Sequence, residues 1–320
     1  MKTKMLALLL ASLALPGLAA AQQQPGGDDT ASTRDRETAT EERGFRVDLR
    51  LNGLFFDNFF QAPDNLPQED VSAWAGELRL AAPLSAAVEG YANLNYTVYE
   101  DPLDASQGVT AGLRSEGRPH GFDVFGEYIT NRPTGDVGEL VEQADIGRIA
   151  GEYSLRPTRD WQFTVLAEYQ QQDFEITEGK DNTFTDFGGA IRYRGFGSEF
   201  SPEIGATVGD RDADDPNEDH SQRDLFVKIR SAPVPWAYLS LRYRHRTRDY
   251  DIDDPRATNF EREDTRKQWV ATADLRTGEI LTWNLYYSYE DAESTLAARE
   301  FTTSLLAAGV TVALNELFGW

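Results

Sequence analysis

The chain has 320 residues, 27% of them charged, and a formal net charge of −23. That charge excludes nucleic acid as a partner, because phosphates would be repelled, and the absence of cysteine removes disulfides and thiolate metal sites. Past the first two dozen residues there is no run of about 20 apolar residues, which rules out a helical membrane span but not strands, where only every second side chain must be apolar.

The chain opens as an export signal. Lys2 and Lys4 form a basic start, Met5 to Leu15 an apolar core too short to span a membrane, and Ala19, Ala20 and Ala21 a small-residue cleavage site before Gln22. No cysteine follows the cleavage site, so lipid attachment there is unavailable. Residues 22–44 are polar and rich in charge and read as a disordered acidic leader, leaving 45–320 as the folded domain.

From Phe45 onward hydrophobicity alternates with a period of two. Phe45, Val47, Leu49 and Leu51 oppose Arg46, Asp48, Arg50 and Asn52. The pattern returns at Trp74–Leu80 against Glu77 and Arg79, at Val88–Tyr96 against Glu89, and at 109–113. It continues at 122–128 against Glu127, at 149–155 against Arg148 and Glu152, and at 161–169 against Glu168. Further repeats fall at 187–193 with Arg192, at 204–208, and at 225–229 with Lys228 and Arg230. The stretch 236–249, WAYLSLRYRHRTRD, separates the two chemistries most sharply: Leu239, Leu241 and Tyr243 point one way, Arg242, Arg244, Arg246 and Arg248 the other. Strands at 269–275, 281–287 and 306–314 complete a set of about fourteen, with 12 and 16 as alternatives. The expected fold is all-β, an up-and-down antiparallel barrel.

Connections alternate in length. Short ones fall at 82–86, 115–121, 156–160, 195–201, 231–236 and 276–279; long ones fall around 56–72, 98–108, 131–145, 172–184, 209–223, 248–267 and 289–301. Aromatics follow the same frame. Phe45, Tyr153, Trp161, Tyr193 and Trp236 lie near short-turn ends, whereas Trp74, Tyr96, Tyr128, Tyr169, Trp269 and Tyr287 lie near long-loop ends, which predicts a belt at each bilayer interface.

On these features the chain resembles Gram-negative outer-membrane β-barrels of the porin-like kind. Its last strand partly carries their assembly signal: Gly309, Val312 and Leu314 have the spacing, Ala307 stands where a polar residue is usual, and Phe318 with Trp320 forms a second candidate pair. The resemblance implies an outer-membrane location with extracellular loops and both termini periplasmic. It also implies lipid and lipopolysaccharide around the wall and folding by the barrel-assembly machinery. A fainter similarity links LRYRHRTRDYD to barrels that sheathe multihaem electron-transfer cytochromes, which are larger and often carry an N-terminal cysteine pair.

The arginine ladder faces inward if Leu239 and Leu241 face lipid, since a lipid-facing arginine near the midplane costs about 2–4 kcal/mol. Two readings follow. The ladder biases a pore toward anions or holds acidic groups of a solute, or it joins a stiffening charge network with Glu77, Glu89, Glu127, Glu152 and Glu168. The loop 209–223 carries Asp210, Asp212, Asp214, Asp215, Glu218 and Asp219 but lacks the turn glycine of a calcium loop, and reads as a solvated acidic loop. Glu218 and His220 have the spacing of the acid–histidine couple of omptin-like surface proteases, with glutamate in place of aspartate. The reading is a channel for passive diffusion of small hydrophilic solutes or ions, not an enzyme, with neither cofactor nor metal. A structural barrel around a periplasmic or electron-transfer partner and a surface protease are the alternatives.

The loop asymmetry fixes an orientation that protease accessibility can check. A protease tag inserted near Asp214 should be cut on intact cells, and one inserted at Gly278 should not; cutting at Gly278 alone would invert the topology.

Overall fold

In the computed structural model the described residues are 44–57, 70–100, 103–115, 117–134, 142–174, 181–197, 199–250, 252, 261–296 and 299–318. The expected signal peptide, nearly all of the leader, and Trp320 lie outside them. Fourteen strands form a closed antiparallel barrel in which each strand pairs with its neighbours in sequence, and β1 closes on β14. They are β1 (Arg46–Asp57), β2 (Val71–Pro83), β3 (Glu89–Tyr99), β4 (Ser106–Ser115), β5 (His120–Thr134), β6 (Glu142–Leu155) and β7 (Trp161–Phe174). They continue as β8 (Asn182–Tyr193), β9 (Ser201–Ala213), β10 (His220–Val234), β11 (Ala237–Tyr250), β12 (Glu263–Thr277), β13 (Leu281–Ser294) and β14 (Phe301–Ala313). A short helix α1 (Leu314–Phe318) follows, so β14 stops at Ala313 and Leu314 is not part of the last strand.

Closure follows from the chemistry of the exterior. Side chains on one face of every strand are apolar and exposed, among them Trp74, Leu94, Val124, Ile149, Val165, Phe187, Ile204, Leu225, Leu241, Trp283 and Leu306. A sheet with that face in hydrocarbon must pair every backbone group, and only a closed barrel has no free edge. The seam pairs run from Asp48↔Ala313 to Asp57↔Ser304.

The opposite face is the concave one, as contacts that skip a strand show. Arg46 on β1 reaches Glu89 on β3 (2.7 Å), Tyr91 on β3 reaches Asp123 on β5 (2.9 Å), and Gln222 on β10 reaches Asp186 on β8 (2.8 Å). Strands two apart are separated by roughly 9–10 Å, so such contacts need a low floor between them. Gly112 supplies it beneath Tyr91 and Gly209 beneath Asp186; a Cβ at Gly112 would come within 2.6 Å of the Tyr91 ring.

Strands run from 10 to 15 residues, whereas a tilted membrane strand needs about 9–11. The surplus lies at the long-loop end. Residues 209–213 and 220–223, expected in the acidic loop, extend β9 and β10, and only Asp214–Asp219 connects them, with a 3₁₀ turn at Pro216–Glu218. Outside hydrocarbon both faces of a strand are free to be polar, so the ladder continues where apolar alternation stops. β5 carries a bulge between Ile129 and Arg132, with Asn131 at φ 51°.

The inner wall is not polar throughout. At the long-loop end Leu54 and Phe56 of β1, Ala73 and Ala75 of β2, Tyr99 of β3, and Leu305 and Ala307 of β14 form a buried apolar cluster, against which Leu103 of the β3–β4 connection packs. Gln143 ties that connection down, donating to the carbonyls of Asp104 (2.8 Å) and Asn131 (2.8 Å). The interior is therefore mixed, with an apolar sector beside the seam.

The seam gives a stability test. Gly309 faces inward opposite Asn52, and a Cβ there would press on the Asn52 side chain and the Leu51 carbonyl well inside van der Waals contact; at Gly147, on the outer wall, it would meet nothing within 4 Å. Gly309→Ala should cost about 1–3 kcal/mol in detergent unfolding and Gly147→Ala close to nothing; equal effects would contradict the seam register.

Candidate functional site: the charged inner wall

The inward positions of β10 and β11 carry six cations, Lys228, Arg230, Arg242, Arg244, Arg246 and Arg248, and one carboxylate, Asp224. β-Register puts them side by side: Arg242 opposite Lys228, Arg244 opposite Phe226, Arg246 opposite Asp224 and Arg248 opposite Gln222. On the other flank Arg242 faces Val270, Arg244 faces Gln268, Arg246 faces Arg266 and Arg248 faces Asp264.

Asp224 holds the centre of this patch. It is 2% exposed and accepts from Arg244 and from Arg246, the latter at 2.9 Å and 3.2 Å. One carboxylate shared by two guanidiniums leaves the trio cationic. Arg230 instead pairs with Glu203 of β9 at 2.6 Å, and Arg192 of β8 donates to Ser201 (2.6 Å). Lys228 and Arg248 are buried and have partners. Arg242 makes neither a hydrogen bond nor an ion pair among the described residues; its guanidinium stacks over the Phe226 ring at 4.7 Å.

The glutamates that sequence alone pairs with the ladder stand elsewhere. Glu77 on β2 accepts from Arg79 (2.6 Å), and Glu89 on β3 takes Arg46 (2.7 Å) and Arg114. Arg148 on β6 bridges Glu127 (3.5 Å) and Glu168 (2.8 Å). Glu152 is half-buried on β6 with a partner of its own. These glutamates thus pair within a β1–β7 network, whereas the ladder's Arg244 and Arg246 pair with Asp224 on β10. Sequence reasoning missed Asp224, Glu203, Asp264, Arg262, Arg266 and Glu290. The alternation of β10 places Asp224 inward, but that Arg244 and Arg246 converge on it is a matter of register.

The mouth of the barrel at the long-loop end is bound together in the same way. Arg262 lies over the Tyr250 ring at 4.0 Å and donates to Asp264 at 3.0 Å and 2.5 Å; the Tyr250 ring packs on His220 at 4.8 Å. Arg266 donates to Glu290 at 3.2 Å. The protease couple does not form. Glu218 turns its carboxylate toward Arg262 (4.0 Å) and Arg299 (3.9 Å), and His220 Nδ1 bonds to the Glu218 backbone carbonyl (3.0 Å). Asp210 and Asp212 are exposed on the outer face of β9 while His220 is buried on the inner face of β10, so these groups cannot converge on a substrate. In the connection, Asp215 and Asp219 accept from backbone N–H groups of Asn217 (2.9 Å) and Ala213 (2.7 Å), acting as turn caps. Among the described residues no group of three or more acidic or histidine side chains is placed to hold a metal ion.

No protein-family model matches the chain, and no curated protein matches it. Among solved structures it is similar to the anion-selective porin from Comamonas acidovorans (7% identity, TM-score 0.47, covering 85% of this chain and 100% of that one). It is also similar to OmpT, an outer membrane protein of Vibrio cholerae (8%, 0.49, 87% and 100%), and to OpdO of Pseudomonas aeruginosa (12%, 0.45, 85% and 98%). Similarity at this level carries neither a solute nor a selectivity across to this chain.

Asp224 gives the site its sharpest stability test. Asp224→Asn leaves two buried guanidiniums without their counter-charge and should lower stability by about 3–5 kcal/mol, read as a shift in the urea unfolding midpoint. A change below about 1 kcal/mol would mean that water, not Asp224, neutralises Arg244 and Arg246.

Proposed function

We propose that the protein is an outer-membrane channel for passive diffusion of small hydrophilic solutes or ions, with the lumen lined by the ladder and by the β1–β7 network. The observation that carries this reading is the partition of side chains between the two faces of a closed fourteen-strand wall: exposed apolar residues outside, and ion-paired and hydrogen-bonded residues over most of the inside. An interior built only to fill the barrel is served as well or better by apolar side chains, since a buried ion pair often contributes less than well-packed hydrophobic residues of similar volume. A charged wall matches a solvated passage. In this reading the apolar exterior sits in lipid and lipopolysaccharide, the barrel-assembly machinery closes the β1–β14 seam, the long-loop end is extracellular and both termini are periplasmic.

The ladder separates two contributions. Arg244 and Arg246 are tied to Asp224, whereas Arg242 has a ring beneath it and no carboxylate beside it. In planar bilayers under a salt gradient, Arg242→Gln should move the reversal potential toward cation preference, with a shift that shrinks at high salt as screening shortens its reach. Arg246→Gln should move it little and instead lower thermal stability. Absence of any conductance from the wild-type barrel would turn the assignment toward the structural role around a periplasmic partner.

A further inference from the structure

The connections at the long-loop end do not stand apart. The β9–β10 connection, Asp214–Asp219, is a preformed unit: Asp215 and Asp219 cap its turns, and the Asp214 N–H donates to the Asp181 carbonyl just before β8 (2.9 Å). Near its other end Glu218 has one carboxylate oxygen 4.0 Å from Nη1 of Arg262 and the other 3.9 Å from Nη2 of Arg299. Arg262 immediately precedes β12, and Arg299 lies in the β13–β14 connection. From β10 to β13 is three strand spacings, roughly 14–15 Å along the wall. A carboxylate that meets a cation of the β13–β14 connection from the β9–β10 connection therefore requires the two to lean toward each other. The lean is inward. Arg262 is 2% exposed, seated on the inward-facing Tyr250 ring and bonded to the inward-facing Asp264, so the carboxylate that meets it is on the lumen side.

The three charged groups have unequal freedom. Arg262 is a fixed post, with two hydrogen bonds to an Asp264 that also accepts from Ser294 (2.7 Å). Glu218 and Arg299 belong to connections, outside the paired strands. At 3.9 Å and 4.0 Å both contacts of Glu218 lie beyond hydrogen-bond distance. Charge attraction rather than a directed bond holds them, and it can be broken and remade without disturbing the strands beneath. We propose that Glu218, Arg262 and Arg299 form a releasable clasp that holds the β9–β10 connection over one side of the mouth, and that this connection is a gate to the lumen in its closed position. The clasp rests on the channel reading only for what the open mouth admits.

The chain has no cysteine, so introduced thiols report alone. Nitroxide labels at Asp214→Cys and Glu300→Cys, both exposed, measure the separation of the two connections in the full-length protein in detergent. Separately, the rate at which Gln268→Cys, three inward positions below Arg262 on β12, reacts with a bulky water-soluble maleimide measures access past them. With the clasp intact the separation is narrowly distributed. Glu218→Gln and Arg299→Gln should each broaden it toward longer distances and speed the maleimide reaction about two- to fivefold, the weight of one part-exposed ion pair. The double variant should do no more than Glu218→Gln alone, because the same contact is already gone. Both substitutions lie outside the fourteen strands, so the barrel keeps its pairing. Arg223→Gln, which breaks an exposed pair with Asp249 at the same end, should change neither readout. An unchanged separation or an unchanged reaction rate in Glu218→Gln, or an effect that Arg299→Gln does not share, would overturn the clasp. Neither readout needs ion flow, so faster modification with no current in planar bilayers would leave the clasp standing and remove the channel.

Discussion

A strand whose outer face lies in hydrocarbon cannot leave its backbone groups unpaired, and this requirement organises everything else in the molecule. Fourteen strands meet it only because β14 returns to β1, and the seam works because Gly309 leaves room for Asn52. Closure turns one continuous alternation into two surfaces. The outer one is apolar by necessity. The inner one has to place its charged side chains within a narrow cylinder, where each needs a partner or water.

The inner wall solves that problem locally, strand by strand. Arg148 sits between Glu127 and Glu168 on its two neighbours, and Arg230 sits beside Glu203. At two of the places where a partner lies two strands away, a glycine between them removes the obstruction: Gly112 under Tyr91 and Gly209 under Asp186. The β10–β11 sector departs from this balance. There six inward cations stand on two strands with one inward carboxylate, Asp224, which takes Arg244 and Arg246; Arg230 reaches Glu203 on β9, Lys228 and Arg248 have partners, and Arg242 lies over the Phe226 ring.

The expectations that failed share a cause. The acidic stretch 209–223 reads as a loop because its outward residues, Asp210, Asp212 and Arg223, break the apolar alternation, yet it is mostly paired strand. Above the bilayer a strand no longer needs an apolar face, so the signal that identifies it inside the membrane is gone. The glutamates assigned to the ladder share its face but not its part of the circumference: side-chain parity is local, whereas adjacency depends on strand order and stagger. The Glu218–His220 spacing suggests a couple that the fold breaks by turning the carboxylate toward Arg262 and Arg299. The apolar inner cluster around Leu54 and Phe56 is hidden for a related reason, since alternation carries Leu54 and Phe56 inward while their hydrophobicity suggests the outside.

Sequence by itself determined the class, a strand number of about fourteen with 12 and 16 still open, and the facing of the barrel residues singled out as candidates, because a period of two propagates from one residue to the next without reference to anything distant. Arg242, Arg244, Arg246 and Arg248 share a face whatever their neighbours are, and Leu239 and Leu241 share the other. Which carboxylate meets which arginine, that Asp224 serves two, that Arg242 stacks on Phe226 and that Leu103 packs on the seam wall were decided only when the sheet closed. Those contacts join residues tens of positions apart, and the register between strands, with the glycines that let side chains cross them, is a property of the assembled barrel.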